Sequence, residues 1–507
     1  MNAASDLTYL LAFLGALVVM LGLGVWVARR NRTGEDFLLA GRRLSTPLLT
    51  GTTLATLVGT GSSLGAVGFA YENGWAGALY GIGGALGVFC LLWLFADVRK
   101  YGFMTFAEEM SFYYGANKAI KGLVAVVLFV AEIGWLGAHI LGGSLYLSYL
   151  TGMDPTTAKI VVALGFGLYT IIGGYLAVVI TDAVQGTILF LGFTLLAVLA
   201  LVKIGGTDGF GESVPAEATS FLGVDALGPL PAVSLALVIA VGVLATPSYR
   251  QRIYSARDTA TVKRSFALVG VLFAVFAITP AIAGLATRSM QPGLDNPDMA
   301  FPYLATTVFP LWLGAFLLIA GLSATMSSGD SDAITAVTIL LRDVVHLVTG
   351  RLPQAEYMVR YSRVALAVVL ALALGGALVA DTIIDYITLM ISTVLTGLLV
   401  AAILGKFWHR ATWQGAVAAI AGGAAVATTV NMSESLTEFW GNPVIPSLVA
   451  AIVAGVLVSL ATPRTAVTRD EALRRLAAER AELDVGTEIR AGGEQSELAG
   501  PGAASSG

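Results

Sequence analysis

Along the 507 residues, long apolar stretches alternate with short polar connections near positions 7–28, 48–71, 75–96, 119–150, 156–178, 181–204, 230–248, 265–288, 311–341, 361–380, 383–407, 411–431 and 444–462. Each is long enough for a helix to cross hydrocarbon about 30 Å thick. The pattern predicts an all-α membrane protein with about thirteen transmembrane helices and its termini on opposite sides.

One stretch breaks the pattern. Thr50–Tyr71, TGTTLATLVGTGSSLGAVGFAY, is apolar enough to span but places Gly59, Gly61, Gly65 and Gly68 at or just past its centre, among Thr and Ser residues. Glycine in a helix interior costs about 1 kcal/mol relative to alanine. A segment that only had to cross lipid would not gather it there. Backbone leaves the helical path inside a membrane only where protein or a water-filled cavity satisfies the freed N–H and C=O groups. A broken span therefore points to a binding site.

Composition agrees with the class: 56% of residues are hydrophobic and 12% charged, and mean hydropathy is +0.81. The net charge of −4 comes without a basic, aromatic-laced cluster, so nothing suggests nucleic-acid binding. The single cysteine, Cys90, lies in an apolar run and offers no disulfide. Residues 7–28 lack a basic segment ahead of them and are read as a retained span rather than a leader. With the N-terminus outside, twenty lysines and arginines fall in cytoplasmic loops, including Arg250 and Arg252, read as anchors at the membrane surface. Only Lys159, Lys203 and Arg288 fall outside, and the other six lie in the C-terminal tail. That asymmetry is the one expected of cytoplasmic loops.

Residues 1–462 thus form a transmembrane domain, followed at 463–507 by a cytoplasmic tail. The tail's charged stretch RDEALRRLAAERAEL reads as a solvated helix, and its Gly/Ser/Ala-rich end as disordered. Outside the membrane, residues 205–229 form an acidic, Gly-rich loop, and 289–310 form a second loop with room for a short surface helix.

A second stretch carries chemistry. Gly321–Thr338, GLSATMSSGDSDAITAVT, places Thr325, Ser327, Ser328, Asp330, Ser331 and Asp332 within a span. Such groups are costly in hydrocarbon and usually face an ion, proton or solute path. Ala324, Ser327 and Ser328, at i, i+3 and i+4, share one helix face. Two hydroxyls and a carbonyl suit a hard cation that takes oxygen ligands. Carbonyls freed by the break around Ala55–Val58 would complete its shell.

Five strings in order, FLLAGRRLSTP from Phe37, SSLGAVGFAY, YTIIGGYLAVVITDAVQG (169–186), RQRIYSARD (250–258) and SATMSSGDSDAITAVTILLRD (323–343), resemble the sodium:solute symporters, which include bacterial proline, pantothenate and sugar carriers. The resemblance implies a leucine-transporter-like core of two inverted five-helix repeats, about 48–204 and 230–407. Each would open with a broken helix, at Gly59–Gly61 and at Pro247, as inverted repeats require. It implies Na+ on the carbonyls of Ala55, Val58 and Ala324 and the hydroxyls of Ser327 and Ser328. It also places a second cation or proton site at Asp182, Asp330 and Ser331, where an aspartate replaces the family's hydroxyl at 330. Asp182 has an alternative role as a polar residue capping its helix.

Glu132 and His139, seven apart, lie nearly on one face and either line the permeation path or pair within the bundle. Gly77, Gly81, Gly83, Gly84 and Gly87 fit close helix packing. For the solute, the break at Gly59–Ser63 offers N–H groups and hydroxyls. The positions where sugar carriers of the family use acid and amide side chains are here Gly61, Ser62, Gly81 and Gly84, which argues against a hexose. A broken helix end suits a carboxylate, so the expected cargo is a small organic acid, an amino acid or a pantothenate-like solute. The function implied is sodium-coupled symport at the plasma membrane. A proton-coupled carrier on the same fold and a non-transporting receptor are the alternatives. No HExxH or comparable set supports an enzyme.

Overall fold

In a computed structural model of the chain, residues 3–28, 39–210, 213–350, 358–380, 382–464 and 467–480 are described. Phe37, at the start of the first family-like string, and the tail beyond Arg480 lie outside them, as do the side chains of 166–174. Apart from one isolated bridge between Leu44 and Ala256, the regular structure among the described residues is helical.

The longer helices are α1 (Ala3–Ala28), α2 (Thr46–Leu57), α3 (Ala66–Asn73), α4 (Ala78–Phe95), α5 (Phe106–Tyr113), α6 (Lys118–Thr151), α7 (Pro155–Lys203), α8 (Pro229–Ala245), α9 (Pro247–Ser255), α10 (Thr259–Phe276), α11 (Ile278–Met290), α12 (Leu311–Ile339), α13 (Met358–Leu378), α14 (Ile383–Met390), α15 (Thr396–Phe407), α16 (Trp413–Asn431) and α17 (Val444–Ala461). Ten helical stretches among the described residues are long and apolar enough to span, or eleven if a bent pair at Phe221–Ala245 counts as one. The thirteen expected from the sequence exceed this because α7 joins the expected spans 156–178 and 181–204 in one helix, of which Tyr175–Lys203 is counted, and the expected span 230–248 falls in the bent pair. The continuous helical run Gly61–Tyr101 also absorbs the second half of one expected span and all of the next.

Caps start the helices where the sequence supplies them. Asn117 Oδ1 accepts from the Ala119 and Ile120 amides at the head of α6. Asp258 accepts from the Thr261 amide at 2.7 Å ahead of α10, and the bonds from Thr261 hold its carboxyl at about 2. Outward faces are as apolar as the interior. On α10 and the start of α11, Leu268, Val271, Val275 and Ile278 are exposed at helical spacing, the surface a lipid-facing helix presents.

Helix α12 runs through the centre and packs on α1, α2, α6, α7 and α13. Helices α16 and α17 pack on each other and on α15. Close packing of α4 on α8 depends on its glycines: a Cβ at Gly83 would lie 2.2 Å from the Ala236 carbonyl oxygen, and one at Gly87 2.7 Å from Val243 Cβ.

Two loops differ from expectation. Residues 297–308 are helical but not a surface feature: Asp298, Phe301 and Leu304 are buried, because the segment folds inward against α3 and α11. The tail helix at 469–480 is docked rather than solvated. Ala472 and Leu476 are buried on its inner face, Arg480 Nε meets Glu108 Oε1 at 2.6 Å and Lys121 Nζ meets Glu479 Oε1 at 3.0 Å. Arg469 also donates to the Lys406 carbonyl. The apolar positions 472 and 476, four apart, form a stripe that charge counting passes over.

Candidate functional site

Helix α2 stops at Leu57 because Val58 leaves the helical region (φ −83°, ψ 56°). The chain re-forms as one wide turn over Gly61–Gly65 before α3 begins. Its own hydroxyls satisfy carbonyls freed by the break. Ser62 Oγ donates to Leu57 O at 2.6 Å and Ser63 Oγ to Gly59 O at 2.6 Å. Those hydroxyls therefore serve the backbone first. The second break falls at Thr246, extended at φ −70°, ψ 129°, between α8 and Pro247 of α9.

Across the first break stands α12. Ser327 Oγ donates to the Ala55 carbonyl at 3.0 Å, and Ser328 Oγ lies 3.1 Å from Thr56 O and 3.4 Å from Ala55 O. Ala55, Val58, Ala324 and Ser327 are fully buried and Ser328 nearly so. Glycine at 59 permits this approach, since a Cβ there would sit 2.4 Å from Ser328 Oγ. The seam thus collects carbonyl and hydroxyl oxygens with no carboxylate among the five residues named for Na+. A hydroxyl that now donates to a carbonyl can rotate and offer its lone pairs to a cation. Among the described residues no three His, Cys, Asp or Glu converge on a metal position.

Asp182 is buried well inside α7, so it does not cap a helix. Its Oδ2 accepts from Thr52 Oγ1 at 2.7 Å and Ser331 Oγ at 3.1 Å. Arg252 occupies the same cluster. Its Nη2 is 3.3 Å from Asp182 Oδ2, 2.7 Å from Ser331 Oγ and 3.1 Å from Thr52 Oγ1, and it also donates to Thr56 Oγ1. Arg252 is therefore no anchor at the membrane surface: it is wholly buried. Arg250 is buried too, 3.3 Å from Glu109 and stacked over Phe95 at 3.5 Å. A positive-inside count assigns sides but not depth, and the break at Thr246–Pro247 draws both guanidiniums into the bundle. Thr52 and Thr56, one turn apart on α2, were the sequence signal for this cluster. Asp330, also buried, precedes Ser331 on α12.

An open cavity adjoins the seam. Gly59, Gly61, Ser62 and Gly84 line it, with Tyr80, Trp135, Tyr249 and Phe273 as aromatic walls and His139 and Asp332 as polar ones. Gly81 is not among them; a Cβ there would press on Ala277, 2.4 Å away, so it serves packing. His139 ties the two sides together: Nε2 is 3.1 Å from Asp332 Oδ2 and Nδ1 is 2.8 Å from Thr60 Oγ1. The sequence singles out His139, and Asp332 as one of the polar groups of the central span facing an ion, proton or solute path, but gives no sign of the aromatic walls, which come from four separate helices.

This arrangement of paired broken helices around a central polar helix is that of ion-coupled carriers with the leucine-transporter-like fold. A Na+-coupled sialic acid symporter, solved in a substrate-bound outward-open state, matches with a TM-score of 0.79 at 19% identity, over 91% of this chain and 99% of its own. The profile of the sodium:solute symporter family matches residues 37–423, and the chain belongs to that family. Relatives include the sodium/pantothenate symporter of Escherichia coli K12, 25% identical over 89% of this chain and 95% of its own length. Another is sodium/proline symporter 2 of Staphylococcus saprophyticus, 25% identical over 92% and 96%. The chain is a multi-pass plasma-membrane protein that carries out sodium-coupled symport of a small solute, with Na+ as the coupling ion.

Proposed function

We propose that the coupling Na+ binds at the seam between α2 and α12, on the carbonyls of Ala55, Val58 and Ala324 and the hydroxyls of Ser327 and Ser328. One observation carries this: both serine hydroxyls already lie on carbonyls at the end of a broken helix, 3.0 to 3.4 Å away. An ion there replaces hydroxyl-to-carbonyl bonds with direct ligation and joins α12 to the break, which shapes the adjoining cavity for solute. Coupling is reciprocal, so solute affinity rises with sodium and sodium affinity with solute. The cluster at Asp182 and Ser331 already holds the Arg252 guanidinium. Asp182 Oδ1 has no hydrogen-bond partner, so a second cation or a proton at Asp182, Asp330 and Ser331 is a separate proposal from the seam.

The solute sits in the aromatic-walled cavity, against Gly59, Gly61, Ser62 and Gly84. It is a small carboxylate, amino acid or pantothenate-like compound, because the re-formed helix at Gly61 favours negative charge. Residues 1–462 are the transport domain, with core repeats at about 48–204 and 230–407. The N-terminus lies outside and the tail from 463 is cytoplasmic. Uptake into proteoliposomes with and without an inward sodium gradient tests the reading. Ser327→Ala and Ser328→Ala should raise the sodium concentration for half-maximal uptake, and unchanged sodium activation in both would exclude the seam.

A further inference from the structure

Beside the cavity lies a buried acid that the sodium seam does not use. Glu132, on α6, is fully buried, and neither carboxylate oxygen has a hydrogen-bond partner. It faces Asp332 and the backbone of Ser248, both of which line the cavity. Asp332 itself has the His139 ring as its partner at 3.1 Å. Arginines hold two other buried acids, Arg252 at Asp182 and Arg250 at Glu109. Glu132 and Asp332 have no lysine or arginine in contact, and Arg252 is committed to Asp182. An unpaired carboxylate in a dry interior is costly until a donor or positive charge reaches it.

Aromatic side chains line the same cavity. Trp135 is held in place by its Nε1–H bond to Thr246 Oγ1 at 2.9 Å, and Tyr80, Tyr249 and Phe273 complete the enclosure. Aromatic faces with acids behind them recognise a cationic nitrogen. We propose that the transported solute carries one, and that Asp332 and Glu132 select it. The inference rests on the cavity being the solute site. It narrows the solute to a zwitterion, with its carboxylate toward Gly61 and its ammonium toward Asp332, and it excludes pantothenate-like acids that lack a cationic nitrogen. A proton shared between the two acids is the competing arrangement, and it would leave every zwitterion without effect.

The test is thermal unfolding of the purified full-length chain in detergent, in NaCl and in choline chloride. The probes are the proteinogenic amino acids and glycine betaine, set against pantothenate and des-amino carboxylates of matched size. At least one zwitterion should raise the midpoint by about 3 °C or more in NaCl only, while the nitrogen-free acids leave it unmoved. Asp332→Asn should abolish that rise. Glu132→Gln, which keeps the side chain's shape, should abolish or sharply weaken it, and provides the readout if Asp332→Asn does not fold. A response to pantothenate or the des-amino acids, no response to any zwitterion, or a zwitterion response retained in Glu132→Gln overturns the inference. Midpoints that rise with sodium alone show that the seam still stands in that event. Loss of the sodium effect in the unmodified chain removes the symport-site reading itself.

Discussion

Two polar clusters lie on adjacent faces of α12, one residue apart in the chain and opposite in character. At Ser331 the neighbouring acid, Asp182, is met through its Oδ2 by a built-in guanidinium and two hydroxyls, so its charge is paired within the protein even though its Oδ1 has no hydrogen-bond partner. At Asp332 the neighbouring acid, Glu132, has no hydrogen bond to either carboxylate oxygen and, among the described residues, no lysine or arginine paired with it, and an open cavity lies alongside. Buried charges persist when paired. The first cluster therefore reads as structure that holds α2, α7, α9 and α12 together, and the second as a place kept for something that comes and goes. The serine seam, one turn before them on α12, has no formal charge among its five residues, as the proposed Na+ site needs if its ion is to leave in each cycle.

The largest expected effect tests the closed cluster. Arg252→Met leaves Asp182 buried and unpaired, and should cost about 3–5 kcal/mol, seen as a collapse of the folded fraction in size-exclusion chromatography. Adding Asp182→Asn should recover part of it. An Arg252→Met protein as stable as the parent would mean that the pair is not what closes this cluster. Next, Ser327→Ala removes one oxygen from the seam while leaving both clusters intact. The sodium concentration for half-maximal uptake should rise about tenfold, equivalent to roughly 1.4 kcal/mol, with expression unchanged.

A third prediction concerns the contact at Asp298, away from both clusters. Asp298 is buried against α3 and accepts from the Ile383 amide at 3.1 Å. Burial pushes its carboxyl up to about 7, the Ile383 amide opposes the rise, and Asp385 and Glu72 add to it. A raised folded value means that the folded state binds the proton more tightly than the unfolded one. Its contribution is complete below about pH 4 and is lost as pH rises through about 7. The parent should therefore lose on the order of a kcal/mol relative to Asp298→Asn over that window, read from unfolding midpoints across pH. Equal pH slopes for the two proteins would refute it. The smallest effect belongs to the tail: Arg480→Ala breaks a part-exposed pair with Glu108 and should cost about 0.2–1 kcal/mol, a small midpoint shift without loss of uptake.

The periodicity and hydropathy of the chain were enough to establish a helical membrane protein, the two broken helices, and the hydroxyls of Ser327 and Ser328 on one face. These are local properties: a run of apolar residues, a glycine or proline that interrupts it, a three- or four-residue spacing. Depth and partnership were not local. Arg250 and Arg252 sit in a string whose charge suggests a membrane surface, and only the packing of α9 against α12 and α2 shows them buried. The docked tail was hidden in the same way, because its apolar stripe is two residues wide within a charged run.

What amino-acid order alone could establish was where helices form, where they stop and which side chains share a face, since those follow from backbone geometry and solvent preference. Which acid acquires an arginine and which is left facing a cavity was decided by the tertiary structure. Electrostatic partnership joins residues far apart in the chain: Asp182 and Arg252 are 70 positions apart, His139 and Asp332 are 193, and distance along the sequence carries no record of distance in space.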